Sequence, residues 1–356
     1  VLHRALTAVG AAEWLISMLI FGIYRTLAWI VAVMLPPMAI FFPLFTLLED
    51  IGYLPRIAYN LDRCFAACGS CGKQSLTMCM GLGCNAAGVV GARIIDSEKE
   101  RLIAILTNAF MPCNGRFPAL VTVITVFFSA GTGLPSVVCA LILAAVILLG
   151  VIFTLIASRL LSSTILHGKP SSFILEMPPY RKPNIPRVIV RSMLDRTVFV
   201  LGRAVMIAVP AGLLIWLLAN ITLGGATLLS HICFFLEPLA SLCGMDGVIL
   251  AAFLLGLPAN EIVLPIILMA YTSGNVLTEA GAITEVGAIL TANGWSIKTA
   301  LCFLIFSMAH FPCSTTLISV KKETGSTRWM LIAAALPTLF GALACMLVNA
   351  LFSVFS

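Results

Sequence analysis

Three cysteines, Cys84, Cys113 and Cys313, each stand next to a Gly or Pro that interrupts an apolar stretch, and Asn85, Asn260 and Glu261 stand at comparable interruptions. Thiolate sulfur favours late first-row divalent metals, whereas amide oxygen and carboxylate are harder donors. The mixed set therefore suits Fe²⁺ better than Mg²⁺ or Ca²⁺ and leaves Zn²⁺ and Mn²⁺ open. Glu261 is the sharpest single residue. An ionisable group inside a membrane segment costs a few kcal/mol and normally faces the protein interior with a partner. A bound cation would be such a partner, and a structural hydrogen bond is the alternative. His310, two residues before Pro312, could also be a ligand, although a lone His is more often hydrogen-bonded structure. Each cysteine taken alone reads as simple packing; three in matched positions favour a metal path.

Other cysteines are less telling. Cys64, Cys68 and Cys71 form C-x3-C-x2-C, a spacing that elsewhere holds an iron–sulfur cluster, but no fourth ligand accompanies it. Cys68-Gly69-Ser70-Cys71 could equally be a redox pair or a point where metal is loaded. No phosphate-binding G-x-x-x-x-G-K-[ST] loop is present: the nearest approach, Gly72-Lys73, is followed by Gln74. The chain is therefore expected to hydrolyse no nucleotide, and no catalytic or cofactor-binding residue is assigned.

The elements that must position these residues follow from composition. Of 356 residues, 60% are hydrophobic and 10% charged, against about a quarter charged in a soluble domain. Such a surface belongs in lipid, where only helices or closed barrels satisfy the backbone. Continuous apolar runs select helices, so the fold expected is an all-α, polytopic membrane bundle with room for about eight spans or half-spans. The 12 cysteines are scattered through apolar segments, which argues against a disulfide framework. The net charge of +6 resides in short loops and reads as membrane orientation rather than nucleic-acid binding.

Hydropathy places membrane segments near 27–48, 74–92, 102–129, 134–158, 197–222, 247–272, 299–319 and 329–353. Residues 5–24 carry Glu13 and are separated from the next span by Arg25-Thr26. They read as an interfacial or partial helix (1–26), with a full span as the alternative. A first membrane repeat then covers 27–158, a basic, Pro-containing cytoplasmic linker 159–196, and a second repeat 197–356. The linker from Arg159, the loop Tyr53–Lys73 and the Lys321-Lys322 connection belong inside by their positive charge; Ser129–Pro135 and Gly224–Gly247 belong outside. Residues 74–92 then have basic loops at both ends, and 247–272 have none at either. Both segments must turn back, one from each side.

These two segments also match each other, Gly81-Leu82-Gly83-Cys84-Asn85 against Gly256-Leu257-Pro258-Ala259-Asn260. Each is followed by a helix carrying Phe110-Met111-Pro112-Cys113 or Phe311-Pro312-Cys313. Matched halves of opposite topology are the mark of inverted-repeat transporters, whose site lies at midplane between broken helices.

The residues named so far, with Leu47-Leu48-Glu49-Asp50-Ile51-Gly52-Tyr53, the Asp96–Arg101 run, Asn108–Pro118 and Phe311–Ser326, resemble the membrane domain of the ferrous iron transport protein B family over nearly the whole chain. The resemblance implies uptake of Fe²⁺ at the bacterial inner (plasma) membrane through two gate repeats. It also implies an N-terminal GTPase domain in cis, binding GTP and Mg²⁺ and absent from this chain; the lack of an initiator Met agrees with that. Small cytoplasmic accessory proteins, membrane lipid and homo-oligomer formation are the remaining partners it suggests. In that family the cysteines matching Cys84, Cys113 and Cys313 are the proposed metal-path residues. The chain departs from the family in having Ala86-Ala87 where Pro is common and Asn260 where Lys is common. Loss of that cation makes the site more attractive to a metal and keeps Mn²⁺ open as cargo. Two rival readings keep other chemistries in view: a nucleoside-type gate transporter, and a membrane thiol oxidoreductase using Cys68 and Cys71.

Overall fold

The structure, a computed structural model, describes residues 12–129, 134–166, 185–186, 190, 199–272 and 283–355. Most of the basic linker therefore lies outside the described residues, as do residues 1–11. The described chain is helical apart from one two-residue antiparallel ribbon, Thr222–Leu223 with Ala226–Thr227. Among the described residues, four helical segments are long and apolar enough to cross a membrane, one of them (98–129) counted across a break, rising to six if each sharply bent pair counts as one span. The all-α membrane bundle with broken helices expected from composition is the observed architecture.

Helix α1 spans Glu13–Asp50, 38 residues, with a wider turn over Met18–Tyr24. It runs straight through Arg25-Thr26, so that pair does not separate two helices. At 1.5 Å per residue α1 is nearly twice as long as the roughly 30 Å hydrocarbon layer. The first repeat continues with α2 (Tyr53–Ala67), α3 (Gln74–Gly83), α4 (Asn85–Gly91), α5 (Glu98–Thr107), α6 (Phe117–Ile124) and α7 (Pro135–Thr164). The second comprises α8 (Phe199–Asn220), α9 (Leu228–Leu242), α10 (Gly247–Leu255), α11 (Val263–Tyr271), α12 (Ile283–Ala292), α13 (Ile297–Met308), α14 (Ser314–Thr324) and α15 (Thr327–Phe355). Helix α7 covers the first six residues assigned from sequence to the linker, because Leu160 and Leu161 prolong its apolar run.

The two halves repeat each other atom for atom at several turns. After α2, Gly69 adopts φ 78° and after α9, Gly244 adopts φ 70°, the left-handed conformation that glycine enters without steric cost. The Gly72 amide donates to Asp62 Oδ1 at 2.7 Å, and the Gly247 amide donates to Glu237 Oε2 at 2.7 Å, each reaching back ten residues. A Cβ on either glycine would collide with a carbonyl of the preceding helix, that of Ala58 or of Cys233. The connection in the first half carries Arg56, Arg63 and Lys73, and that in the second carries Glu237 and Asp246.

Two of the segments placed by hydropathy, 102–129 and 299–319, are each interrupted inside. The first is interrupted between α5 and α6 at Met111-Pro112-Cys113, flanked by short 3₁₀ turns at Asn108–Phe110 and Asn114–Arg116. The second is interrupted between α13 and α14 over Ala309–Cys313. Pro112 and Pro312 cannot donate to a helix and clash with the turn before them. Each repeat therefore contains two broken segments rather than one.

Small residues set the packing around these breaks. A Cβ on Gly150 of α7 would crowd the carbonyl of Phe110, and one on Gly341 of α15 would crowd that of Ala309, so each repeat's final long helix presses a glycine against its own second break. Gly22 of α1 and Gly212 of α8 meet where the first helices of the two repeats cross. The long helices face outward, with only 17% of the most apolar window of α7 buried, compared with 56% of the window within 98–129. The broken segments form the interior.

Candidate metal path between the broken helices

All four breaks meet at one cavity. Its wall includes Cys84 and Asn85 from the first break, Cys113 from the second, Asn260 and Glu261 from the third and Cys313 from the fourth. These are the six residues singled out from sequence, contributed by segments up to 229 residues apart in numbering. Their backbones explain why. Cys84 has φ −153° and ψ 122°, and its counterpart Ala259 has φ −154° and ψ 121°. Cys84 alone separates two half-helices, whereas Gly256–Ala259 separate α10 from the next turn, and in both the following Asn sits at the tip of a new N-terminus. Cys113 and Cys313, also extended, precede the second helical pieces in the same way.

Within the first repeat the breaks are tied together by asparagines. Asn108 Nδ2 donates to the Asn85 carbonyl at 3.0 Å. With its nitrogen turned toward them, the Asn85 amide donates to Asn108 O at 3.1 Å and to Gly81 O and Met111 O at 3.3 Å. A Cβ on Gly88 would strike the Asn108 side chain, so that glycine is what lets α4 approach. In the second repeat, Ser314 N donates to Leu257 O at 2.7 Å and His310 Nε2 lies 3.4 Å from Asn260 Oδ1. His310 Nδ1 is held against the carbonyls of Ser307 (2.8 Å) and Phe306 (3.1 Å). His310 is buried behind Asn260 and does not line the cavity.

Contacts across the repeats converge on the same place. Asn260 Nδ2 approaches Cys113 Sγ at 3.8 Å, and Trp29 Nε1 donates to the Glu261 carbonyl at 3.4 Å. Cys313 Sγ is 3.3 Å from Thr316 Oγ1. Glu261 is 9% exposed, and among the described residues its carboxylate forms no ion pair. Gly115 lies against that carboxylate so closely that a Cβ would collide with it.

Sequence reasoning missed several participants, Asn114 and Thr315 of the wall among them. Arg116, 1% exposed, donates from Nη1 to Met308 O at 2.6 Å and Ala109 O at 3.1 Å, and from Nη2 to His310 O at 3.3 Å. One guanidinium thus collects carbonyls left without helical donors at the second break of each repeat. Met34 and Met38 of α1 also line the cavity. An arginine beside Pro-containing turns was a visible signal, since a cation in an apolar segment marks the interior; methionines in an apolar helix carry none.

Among the described residues, no three or more His, Cys, Asp or Glu side chains are gathered as a metal cage. The cavity brings donors together without closing them on one point. Cys64, Cys68 and Cys71 lie elsewhere, at the end of α2 and in the turn before α3, and are respectively exposed, half-buried and buried. Burial pushes the Cys71 thiol up to about 12, and the neighbouring Glu100 pushes it the same way. Burial and Cys64 raise that of Cys68. A reactive thiol needs the opposite shift.

The fold and cavity define a helical membrane protein built from two gate-type repeats with a donor-lined meeting point. The family described as nucleoside recognition (Gate) matches residues 31–128 and 201–327, and the ferrous iron transport protein B C terminus matches residues 143–196. The chain belongs to the Gate family, and it resembles the membrane part of ferrous iron transport protein B. It is 30% identical to an Fe(2+) transporter FeoB of Staphylococcus aureus over 86% of this chain and 45% of that protein. A FeoB of Methanocaldococcus jannaschii is likewise 30% identical, over 85% of this chain and 45% of its own length. A fusion of Fe(2+) transport protein A with FeoB from Porphyromonas gingivalis is 24% identical over 84% and 40%. The chain thus spans about half the length of these relatives. No solved structure matches it.

Proposed function

We propose that this chain is the permease through which Fe²⁺ crosses a bacterial inner membrane, with Cys84, Cys113, Cys313, Asn85, Asn260 and Glu261 as the donors met on the way. The observation that carries the reading is the Glu261 carboxylate, buried with no ion pair among the described residues in a cavity that three thiols share. A buried charge without a partner is strongly unfavourable, and a divalent cation would neutralise it. Thiols that bind the metal release their protons. Incomplete closure of the donors suits transport, since an ion held by a full cage leaves slowly.

Cavity size favours an ion over a nucleoside. The free space is about 30 Å³, room for one or two waters or a largely dehydrated ion, against roughly 300 Å³ or more for an organic ligand site. Coupling to an N-terminal GTPase domain and contact with small cytoplasmic accessory proteins belong to the same proposal. The relative in which protein A and FeoB are fused supports the second of these. No catalytic step is assigned to the chain itself.

Uptake into proteoliposomes, comparing Fe²⁺, Mn²⁺ and Zn²⁺ with uridine as the organic control, tests this. Fe²⁺ accumulation that Glu261→Ala and Cys84→Ser abolish at unchanged expression is the expected result. Normal uptake in both variants would reject the ligand assignment, and uridine uptake without metal uptake would reject the cargo.

A further inference from the structure

The donors assigned so far are three thiols, two amides and one carboxylate, but the cavity wall has a second sulfur face. Met34 and Met38 both line it. Four residues apart on α1, they share one side of the helix. Met38 is 3% exposed and packs in one cluster with Cys84, with Met34 against the same cluster. Pro36 and Pro37 lie between them and remove the amides that would have bonded the carbonyls of Ala32 and Val33. The helix is thus weakened where the two thioethers face the cavity.

We infer that this cavity binds soft monovalent cations of the Cu⁺ and Ag⁺ type, with the Met34 and Met38 thioethers completing a sulfur site begun by Cys84, Cys113 and Cys313. The inference rests on reading the cavity as a cation path. Five sulfur side chains line it beside one carboxylate, the amides of Asn85, Asn114 and Asn260 and the Thr315 hydroxyl, and thiolate with thioether is the donor pair that selects Cu⁺, while hard cations require oxygen. Thioethers are neutral, so they stabilise a monovalent ion without adding charge, and they need no deprotonation. A hard or borderline divalent ion gains little from them. Met34 and Met38 therefore act on which metal is held.

Leu matches Met in volume, so the exchange costs little in packing and removes only the sulfur. The test uses the full chain in lipid nanodiscs with Cys64, Cys68, Cys79 and Cys139 replaced by Ser, so that the more accessible thiols do not contribute. Ag⁺ serves as the redox-inert probe and anaerobic Fe²⁺ as the comparison, each measured by equilibrium dialysis. The Met34→Leu/Met38→Leu variant is expected to lose tenfold or more in Ag⁺ affinity and less than about threefold in Fe²⁺ affinity, with unchanged thermal unfolding. Unaltered Ag⁺ affinity, or an equal loss for both ions, overturns the inference. Binding of Ag⁺ but not Fe²⁺ by the parent, with the loss on methionine exchange, supports it and removes the ferrous reading instead. Binding of Fe²⁺ with no dependence of Ag⁺ on either methionine does the reverse.

Discussion

The break at Cys84 and the break at Ala259 have one backbone and two chemistries. Their dihedrals agree to within a degree, and each is followed by an asparagine at the cavity. Yet the first carries a thiol and then Ala86, while the second carries a methyl group and then Glu261. Backbone geometry is repeated because it makes the hole, while the side chains that line it differ between the repeats. The same division appears at the second breaks, where both repeats supply a cysteine but only the first supplies an arginine. Architecture is twofold and the binding chemistry is single.

The comparison can be broken most severely at its asymmetric residue. Replacing Glu261 by Ala should reduce Fe²⁺ uptake to background, and adding Ala86→Glu should not restore it, because Ala86 does not line the cavity. Rescue by the second change, measured as uptake in proteoliposomes, would show that the repeats are chemically interchangeable. Next in size is Arg116→Leu. Loss of a charged donor to three carbonyls should destabilise the protein by roughly 3 kcal/mol, read as a lower unfolding temperature in detergent. The corresponding Thr316→Val should have a much smaller effect.

Gly115→Ala places a methyl group into the Glu261 carboxylate, so uptake should fall about tenfold while expression holds; a change in thermal stability alone would mean the carboxylate moves aside freely. Gly72→Ala and Gly247→Ala then test the symmetric part. Both meet a helix carbonyl in the same way, so both should cost a similar amount, about 1 to 3 kcal/mol, and a large difference would show that the turns are alike in shape only. The smallest effect is expected at an exposed surface, where Arg93 joins Glu323 through bonds of 2.7 and 2.8 Å. That pair ties α14 to the turn after α4, and the Glu323 carboxylate holds the Arg93 guanidinium above its usual range. Exposed pairs contribute under about 1 kcal/mol, so Arg93→Ala should hardly change stability. Charge reversal with Glu323→Arg should restore whatever uptake Arg93→Glu loses.

Much of this was legible in the residues. Gly81, Gly83 and Pro258 in apolar runs required breaks, and loops of the wrong charge on both sides of 74–92 required a turn back. The paired Asp62 and Glu237, each capping a turn ten residues later, were not recognisable, because their side chains differ and only the bonded amides show their equivalence. Pro112 and Pro312 were visible as interruptions, but a proline in a membrane helix often leaves only a kink, and whether the chain continues depends on what receives the freed carbonyls. Here Arg116 and Gly150 receive and approach them.

By itself, then, the sequence determined the solvent, the helices and the types of donor, because hydropathy, proline and ionisable groups act through local physics that lipid makes severe. That four separate breaks form one cavity, that Arg116 bridges the repeats and that Met34 and Met38 face the thiols was decided only by tertiary packing. Those facts depend on which glycines let which helices approach, and no property of a residue alone records its neighbour across the bundle.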